Sequence, residues 1–542
     1  MAPAPPAAAD RHSARLNTRA AGTVGLAVLL SRILGVVREQ IFAALFGGGR
    51  LMDAFTIAFR IPNLLRDLFA EGALSTAFVT TFSKTAVAEG DDAAWGLANK
   101  IATLAIVCLS AIIIAGIIFA PSLVAVLAPG FHGAKAVLTA RLTRVMFPFI
   151  LLVSLAALAM GLLNARNVFG VPALASSFFN LGVIVTGVGI GWWIDPGLGP
   201  KALVGLAVGV LIGGLLQLGM QVPTVRRVGY RFRPDFRWRD ARVKAVLRLM
   251  GPSVIAASTT QVNVLVNSIF ASKLGNGPTF WLASAFRLMQ LPLGLFGVAL
   301  GTVSLPLLAR MAASGNTSGF RTELARGMRL ALLMTIPASI GLAMLAKPII
   351  SVLYQHGRFT AYEAAQAGSD LRFYALGLCG YAALKVLVNA FYAIDRRKTP
   401  MIVSFIAVGL NLFLNWLFTF RLGWGHRGLA FSTACIATTN FVILYILMHR
   451  HLGRLESRKM LDLLIRTAGA CLALAAICWS GGHYLLADWA TERFWPKCGS
   501  LAAVIIAGVI VFFVCATALG IEETKEIVHA VKRRLGRSRG LA

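Results

Sequence analysis

Apolar runs of about 20 residues or more, the length that crosses roughly 30 Å of hydrocarbon as a helix, recur along the whole chain between short polar, mostly basic stretches. They fall at 22–46, 54–83, 97–120, 141–163, 171–194, 202–223, 247–272, 279–309, 328–354, 371–394, 400–420, 428–449, 462–485 and 499–520. This pattern predicts an all-α membrane protein of about 14 transmembrane helices, and an even number places both termini on one side. Residues 1–21, rich in Ala and Pro and carrying Arg11, Arg15 and Arg19, read as a disordered cytoplasmic tail. Residues 521–542 read as a second, basic cytoplasmic tail.

The first half of the chain can be laid on the second. Ile41-Phe42-Ala43 followed by Gly47 and Gly49 matches Ile269-Phe270-Ala271 followed by Gly275 and Gly277, and Pro172 matches Pro400, all at an offset of 228. Ala58-Phe59-Arg60 matches Ala285-Phe286-Arg287, and Gly72 and Ser75 match Gly301 and Ser304, within one residue of that offset. Four anchors at one spacing indicate duplication. A repeat of six helices, an even number, relates two lobes by an axis along the membrane normal. The expected organisation is an N-lobe at 22–223, a basic cytoplasmic loop at 224–246, a C-lobe at 247–449, and two extra helices within 462–520. Transporters built this way hold substrate between the lobes and rock one against the other.

Composition agrees with the bilayer as solvent: of 542 residues 57% are hydrophobic and 14% charged, with a mean hydropathy of +0.75. A soluble fold cannot hide so much apolar surface. The net charge of +30 would suit nucleic acid, but the basic residues lie between apolar runs, and a nucleic-acid partner is rejected. With the N-terminus inside, cytoplasmic segments collect 32 Lys and Arg against 12 outside, a strong positive-inside bias. Its largest element, with Arg226, Arg227, Arg231, Arg233, Arg237, Arg239, Arg242, Lys244 and Arg248, is a topogenic signal and anchor to the anionic leaflet. The seven Cys (108, 379, 435, 471, 478, 498 and 515) show no CxxC or metal-ligand spacing and read as small core residues.

Ionisable residues inside apolar helices are costly and mark function. They crowd into the first two helices. Arg32 and Glu39 share a face of helix one with Gly35 between them and Arg38 beside Glu39; Arg60, Asn63, Asp67 and Glu71 form one stripe on helix two, with Arg66 alongside and Pro62 expected to kink it. Such a stripe cannot face lipid, so it is expected to line a watery cavity joined by Arg287 of helix eight. Five Arg against Glu39, Asp67 and Glu71 leave that cavity positive, and guanidinium forks suit phosphate or carboxylate oxygens. The expected substrate is therefore anionic and phosphorylated. Asp53 at the end of helix two serves as helix cap or gate, and Lys385 in helix ten as a charge partner or a snorkelling side chain. No GxxxxGK[ST] loop, HExxH or soluble nucleotide domain is present, so ATP use and catalysis are not expected. Membrane potential or an ion gradient is left as the driving force.

The runs Ser31-Arg32-Ile33-Leu34-Gly35, Asp53-Ala54-Phe55, Ile61-Pro62-Asn63-Leu64-Leu65-Arg66 and Phe69-Ala70-Glu71-Gly72-Ala73 resemble the MurJ/MviN family. That family lies within the multidrug/oligosaccharidyl-lipid/polysaccharide exporter superfamily. The resemblance continues through Phe147-Pro148, Gly251-Pro252, Arg287-Leu288-Met289, Gly297-Val298-Ala299-Leu300-Gly301-Thr302, Gly357-Arg358-Phe359-Thr360 and Lys398-Thr399-Pro400. It implies a flippase of the bacterial inner membrane that carries lipid II, the undecaprenyl-pyrophosphate-linked disaccharide-pentapeptide, to the outer leaflet. It further implies that Arg32, Arg38, Asp53, Arg66 and Arg287 are the functionally important charges; together with the buried polar stripe, the expectation is that Arg32, Arg38, Arg66 and Arg287 bind substrate, with Asp53, Glu39, Arg60, Asn63, Asp67, Glu71 and Lys385 as gate or cavity support. The two extra helices would form a groove for the polyprenyl tail. Membrane lipids and proteins of wall synthesis are the remaining candidate partners. Some relatives hold sodium in the second lobe; here helix seven has no carboxylate and helix eleven offers only Asn411 and Asn415, so no metal site is expected. The alternatives are a flippase of another polyprenyl-linked oligosaccharide, or a drug/cation antiporter of the same superfamily, which would need acids as the dominant cavity charge. A polyprenyl-phosphate transferase would need paired loop carboxylates, and the adjacent pair Asp91-Asp92 reads as a solvated loop.

Overall fold

Helix starts and stops follow local chemistry. In the computed structural model, residues 9–67, 74–453, 455–486 and 494–524 are described. Contacts divide the chain into two units, Met1–Asn276 and Gly277–Ala542. The first holds α1 (Ala9–Phe46), α2 (Arg50–Arg66), α3 (Ser75–Glu89), α4 (Asp91–Ile118), α5 (Ala120–Leu127), α6 (Gly133–Met146), α7 (Phe149–Ala165), α8 (Gly170–Ile194), α9 (Ala202–Gly219), α10 (Val222–Arg227) and α11 (Ala241–Ser272). The second holds α12 (Pro278–Pro292), α13 (Ala299–Ala313), α14 (Thr317–Met344), α15 (Ala346–Tyr354), α16 (Ala361–Leu376), α17 (Leu378–Ala393), α18 (Lys398–Trp416), α19 (His426–Leu452), α20 (Ser457–Ser480) and α21 (Phe494–Ala518). Prolines open α5, α10 and α12, where the missing N–H costs nothing. Asp240 caps α11, and Thr360 with Glu363 forms a capping box on α16.

Two boundaries differ from expectation. Helix α1 begins at Ala9, so residues 9–21, expected to be disordered, are helical; Ala and Arg are strong helix formers. The helix expected at 54–83 is two, α2 and α3, and Pro62 lies five residues ahead of a π turn at Asp67. Its counterpart at 279–309 is likewise broken, with Pro292 leading into a π-helical turn at Leu293–Val298. A proline frees the carbonyl four residues back, and a π turn is one way a helix absorbs that loss. The basic tail from 525 onward and Glu71 lie outside the described residues.

Among the described residues, nine helices are long and apolar enough to cross a membrane, or ten if α16 and α17, bent by 42°, form one span. The expected spans at 22–46, 54–83, 247–272 and 279–309 are not among them, so the count of about 14 stands as an expectation. The duplication reappears in helix starts: α2 and α12, α6 and α16, and α8 and α18 each begin 228 residues apart.

Packing in the first unit centres on α8 and α9. Gly205, Gly209 and Gly213 repeat every four residues on α9 and meet Gly191, Gly187 and Val183 of α8; a Cβ on Gly209 would lie 2.4 Å from Gly187 Cα. Small residues at this spacing let helix backbones touch, which is how apolar helices associate in lipid. Helix α8 also packs on α1, and α11 packs with this unit against α3, α4 and α5. In the second unit, α20 and α21 close over α14. Arg329 of α14, largely buried, bonds Glu456 and Glu523 at 2.6 Å each, pinning both ends of that helical pair.

Candidate functional site

The polar residues of α1 and α2 are held by three different helices of the first unit. Arg38, buried on α1, donates from a guanidinium nitrogen to Asn180 Oδ1 on α8 at 3.0 Å. Asn180 Nδ2 in turn donates to the Ser31 carbonyl at 3.2 Å, so one amide fixes the α1 backbone two turns before Arg38 and the arginine itself. The Phe59 and Phe179 ring centres lie 5.8 and 5.6 Å from the guanidinium carbon, two cation–π contacts that restrict it further. Glu39 is also buried, while Arg32, earlier on α1, is exposed.

On α2 the stripe expected from spacing turns toward α11. Arg60 donates to Ser268 Oγ at 2.6 Å, and Gln261 Nε2 donates to Asp67 Oδ2 at 3.3 Å. Seven residues forward on α2 correspond to seven backward on α11, so an antiparallel polar seam joins them through long side chains. Asn63 lies between these contacts, its Oδ1 buried without a partner among the described residues. Arg66 bonds its neighbour Asp67 through two nitrogens at 3.1 and 2.8 Å, and both stay partly accessible.

Asp53 departs from the cap expected of it. Gly49 occupies the N-cap of α2, with no side-chain cap bond. The Asp53 carboxylate, fully buried in the first turn, instead meets Lys135 Nζ of α6 at 2.8 Å. Lys135 also donates to the Gly275 carbonyl and to Asn276 Oδ1, both at 3.1 Å, and sits 3.9 Å from the Phe131 ring centre. One ammonium thus ties together α2, α6 and the segment after α11. The sequence reading missed Lys135, Asn180, Ser268 and Gln261; the only available signal was that each is polar within or beside an apolar run.

In the second unit Arg287 of α12 is half-buried and Lys385 of α17 exposed. Lys385 lies beside Gly301 of α13, whose carbonyl accepts from Asn389 Nδ2 at 2.8 Å. Asn411 and Asn415 are fully buried on α18, but their oxygens are engaged: Asn415 Nδ2 donates to Asn411 Oδ1 at 3.0 Å, and Ser432 Oγ donates to Asn415 Oδ1. Among the described residues, no group of three or more His, Cys, Asp or Glu could hold a metal ion.

Chemically, α1 and α2 present guanidinium groups anchored by an amide, a hydroxyl and aromatic faces, a setting that suits an oxyanion. The family model described as lipid II flippase MurJ matches residues 42–498. The probable lipid II flippase MurJ of Rhizobium tropici is 35% identical over 523 residues, covering 94% of this chain and 96% of its own. The lipid II flippase MurJ of Burkholderia cenocepacia is 33% identical over 504 residues, covering 91% and 96%. Among solved structures, a lipid II flippase MurJ in an inward closed conformation superposes with a TM-score of 0.75 at 25% identity, over 91% of this chain and 98% of that one. An inward-facing multidrug resistance MATE family transporter of the MOP superfamily reaches 0.68 at 15% identity, over 79% and 96%, and shares the fold alone.

Proposed function

Because the chain belongs to the lipid II flippase MurJ family, a family of multi-pass membrane transporters, we propose that it moves lipid II from the cytoplasmic to the outer leaflet of the bacterial inner membrane, with both termini cytoplasmic. The carrying observation is the anchoring of Arg38 by Asn180 and by two phenylalanine rings. That geometry presets a guanidinium without the flexibility that would cost binding entropy. In this reading Arg38, Arg66 and Arg287 hold the pyrophosphate in a cationic cavity, Arg32 supports them, and access alternates between the two sides. Asp53 and Lys135 serve the outer gate. Moving an anion outward from a negative interior gains about 2.3 kcal/mol per charge per 100 mV, so the membrane potential suffices as a driving force.

The test is complementation of a flippase-depleted bacterium, reading lipid II on the outer leaflet at matched membrane expression. Wild type is expected to rescue, and Arg38→Ala, Arg66→Ala and Arg287→Ala to fail. Rescue by all three variants would remove these arginines from substrate binding. No rescue by correctly inserted wild type would point to another polyprenyl-linked oligosaccharide as cargo.

A further inference from the structure

The connection between α10 and α11, residues 228–240, is folded back along α4. The backbone N–H of Arg233 donates to Asn99 Oδ1 and that of Asp235 to Thr103 Oγ1, each at 3.0 Å. Lys100 pairs with Asp240 at 2.5 Å, and the buried Tyr230 ring packs 5.6 Å from Trp95. Thr103 is about 18 Å along α4 from Asp91 at 1.5 Å per residue, at the level where α4 becomes free of charged residues, from Ile101 onward. Helix α4 and the α9–α10 segment are both candidate spans. Their common end sets the loop at the depth of lipid headgroups rather than out in the aqueous phase.

The loop's surface has the composition of that zone. Arg226, Arg227, Arg231, Arg233 and Arg239 are all exposed, and none has a carboxylate partner among the described residues. Phe232 and Phe236 stand between them at 46% and 65% exposure, a cost in water that insertion between acyl chains removes. A cleft of about 580 Å³ opens between the start of α4 and the loop, lined by Trp95, Asn99, Arg231, Arg233 and Phe236 among others. Two carboxylates also line this cleft: Asp235 is neutralised by Arg237 at 2.7 Å, and Asp92 is exposed to solvent, leaving Arg231 and Arg233 in excess.

We propose that this cleft is a binding site for the phosphodiester headgroup of an anionic phospholipid, held by Arg231 and Arg233 while Phe232 and Phe236 insert into the leaflet. The role is independent of which cargo the transporter moves. A loose basic tail would attract anionic lipid diffusely; here Asn99 and Thr103 hold the loop backbone at Arg233 and Asp235 against α4, so retention is specific to this cleft.

The full-length protein in phosphatidylcholine nanodiscs, with and without phosphatidylglycerol, provides the test, with retained lipid read by native mass spectrometry. Wild type is expected to retain phosphatidylglycerol over phosphatidylcholine. Arg231→Gln and Arg233→Gln should each lower that retention about fivefold, near the value of one arginine at an anionic surface. Arg310→Gln, an exposed arginine of α13, should leave it unchanged. Phe236→Ala should weaken retention with all charges kept. Equal retention of both lipids by wild type, unchanged retention in both arginine variants, or displacement by inorganic phosphate in solution would each overturn the proposal.

Discussion

At the start of α2 the first half buries an ion pair; at the start of α12 the second half buries aromatic rings. Asp53 and Trp281 are each the fourth residue of their helix, 228 positions apart. Lys135, which neutralises Asp53, corresponds to Glu363, and Glu363 turns back to accept from the Thr360 N–H at 2.8 Å and cap its own helix. Trp281 packs instead edge-on against Tyr362 and His426, with centroids 6.0 and 5.2 Å away. An ion pair in a dry site stabilises little overall but penalises the loss of one partner, whereas aromatic packing tolerates substitution more gradually. The junction at Asp53 is therefore the all-or-none one, and that at Trp281 the graded one. Asp53→Ala is expected to cost about 3–5 kcal/mol by stranding the Lys135 charge, while Asp53→Leu with Lys135→Leu recovers most of that. Thermal unfolding in detergent measures both, and a double variant no more stable than the single would show that the charges are not what matters.

The last helix pair of each half makes the same contrast in another form. Helices α8 and α9 meet through glycines, with Gly209 against Gly187 backbone. Helices α18 and α19 meet through a hydrogen bond, with Ser432 of α19 reaching Asn415, which itself bonds Asn411 one turn earlier on α18. Close backbone contact has no slack, so Gly209→Val should destabilise by about 3 kcal/mol. Because α8 carries Asn180 and Phe179, that variant should also lose lipid II exposure in the complementation assay by loosening Arg38. Asn415→Ala removes one polar link of the kind that contributes about 1 kcal/mol between membrane helices, and its melting shift should be clearly the smaller. Equal shifts would mean that the two seams are mechanically alike.

Much of this was legible because membrane helices announce themselves by length, and duplication by recurring Gly, Pro and Arg at one offset. Asp53 stood out as a carboxylate at the end of an apolar run. Its partner did not: Lys135 is 82 residues away in sequence, in a stretch that reads as a loop between two apolar runs. Asn180 was hidden because a single amide barely alters the apolarity of α8, and the glycines of α9 because they read as lipid-compatible filler. The antiparallel seam between α2 and α11 depends on which face of α11 turns inward, and Ser268 and Gln261 stand out in no one-dimensional pattern.

The two halves also differ in the connections that leave them. After α10 comes the long arginine-rich connection; after α19 a short link to α20, where Glu456 is bound by Arg329. The long connection is ordered in part by Asp235, whose carboxyl is pulled from its ordinary 3.8 down to about 2 by the hydrogen bonds it accepts from Arg237. A depressed carboxyl contributes stability that is complete above its unfolded value and is lost as the pH falls through the folded one. Hydrogen-exchange protection, taken relative to the intrinsic rate at each pH, at Arg233 and at Asp235 through Arg237 should therefore be unchanged from neutrality to about pH 5 and fall only between about pH 4 and pH 2. The pair is close to the surface and contributes little, so protection should fall modestly, and Asp235→Asn should show the low-pH level at neutral pH. Loss of protection already near pH 6 would place the loop's order in another group and leave Asp235 a bystander.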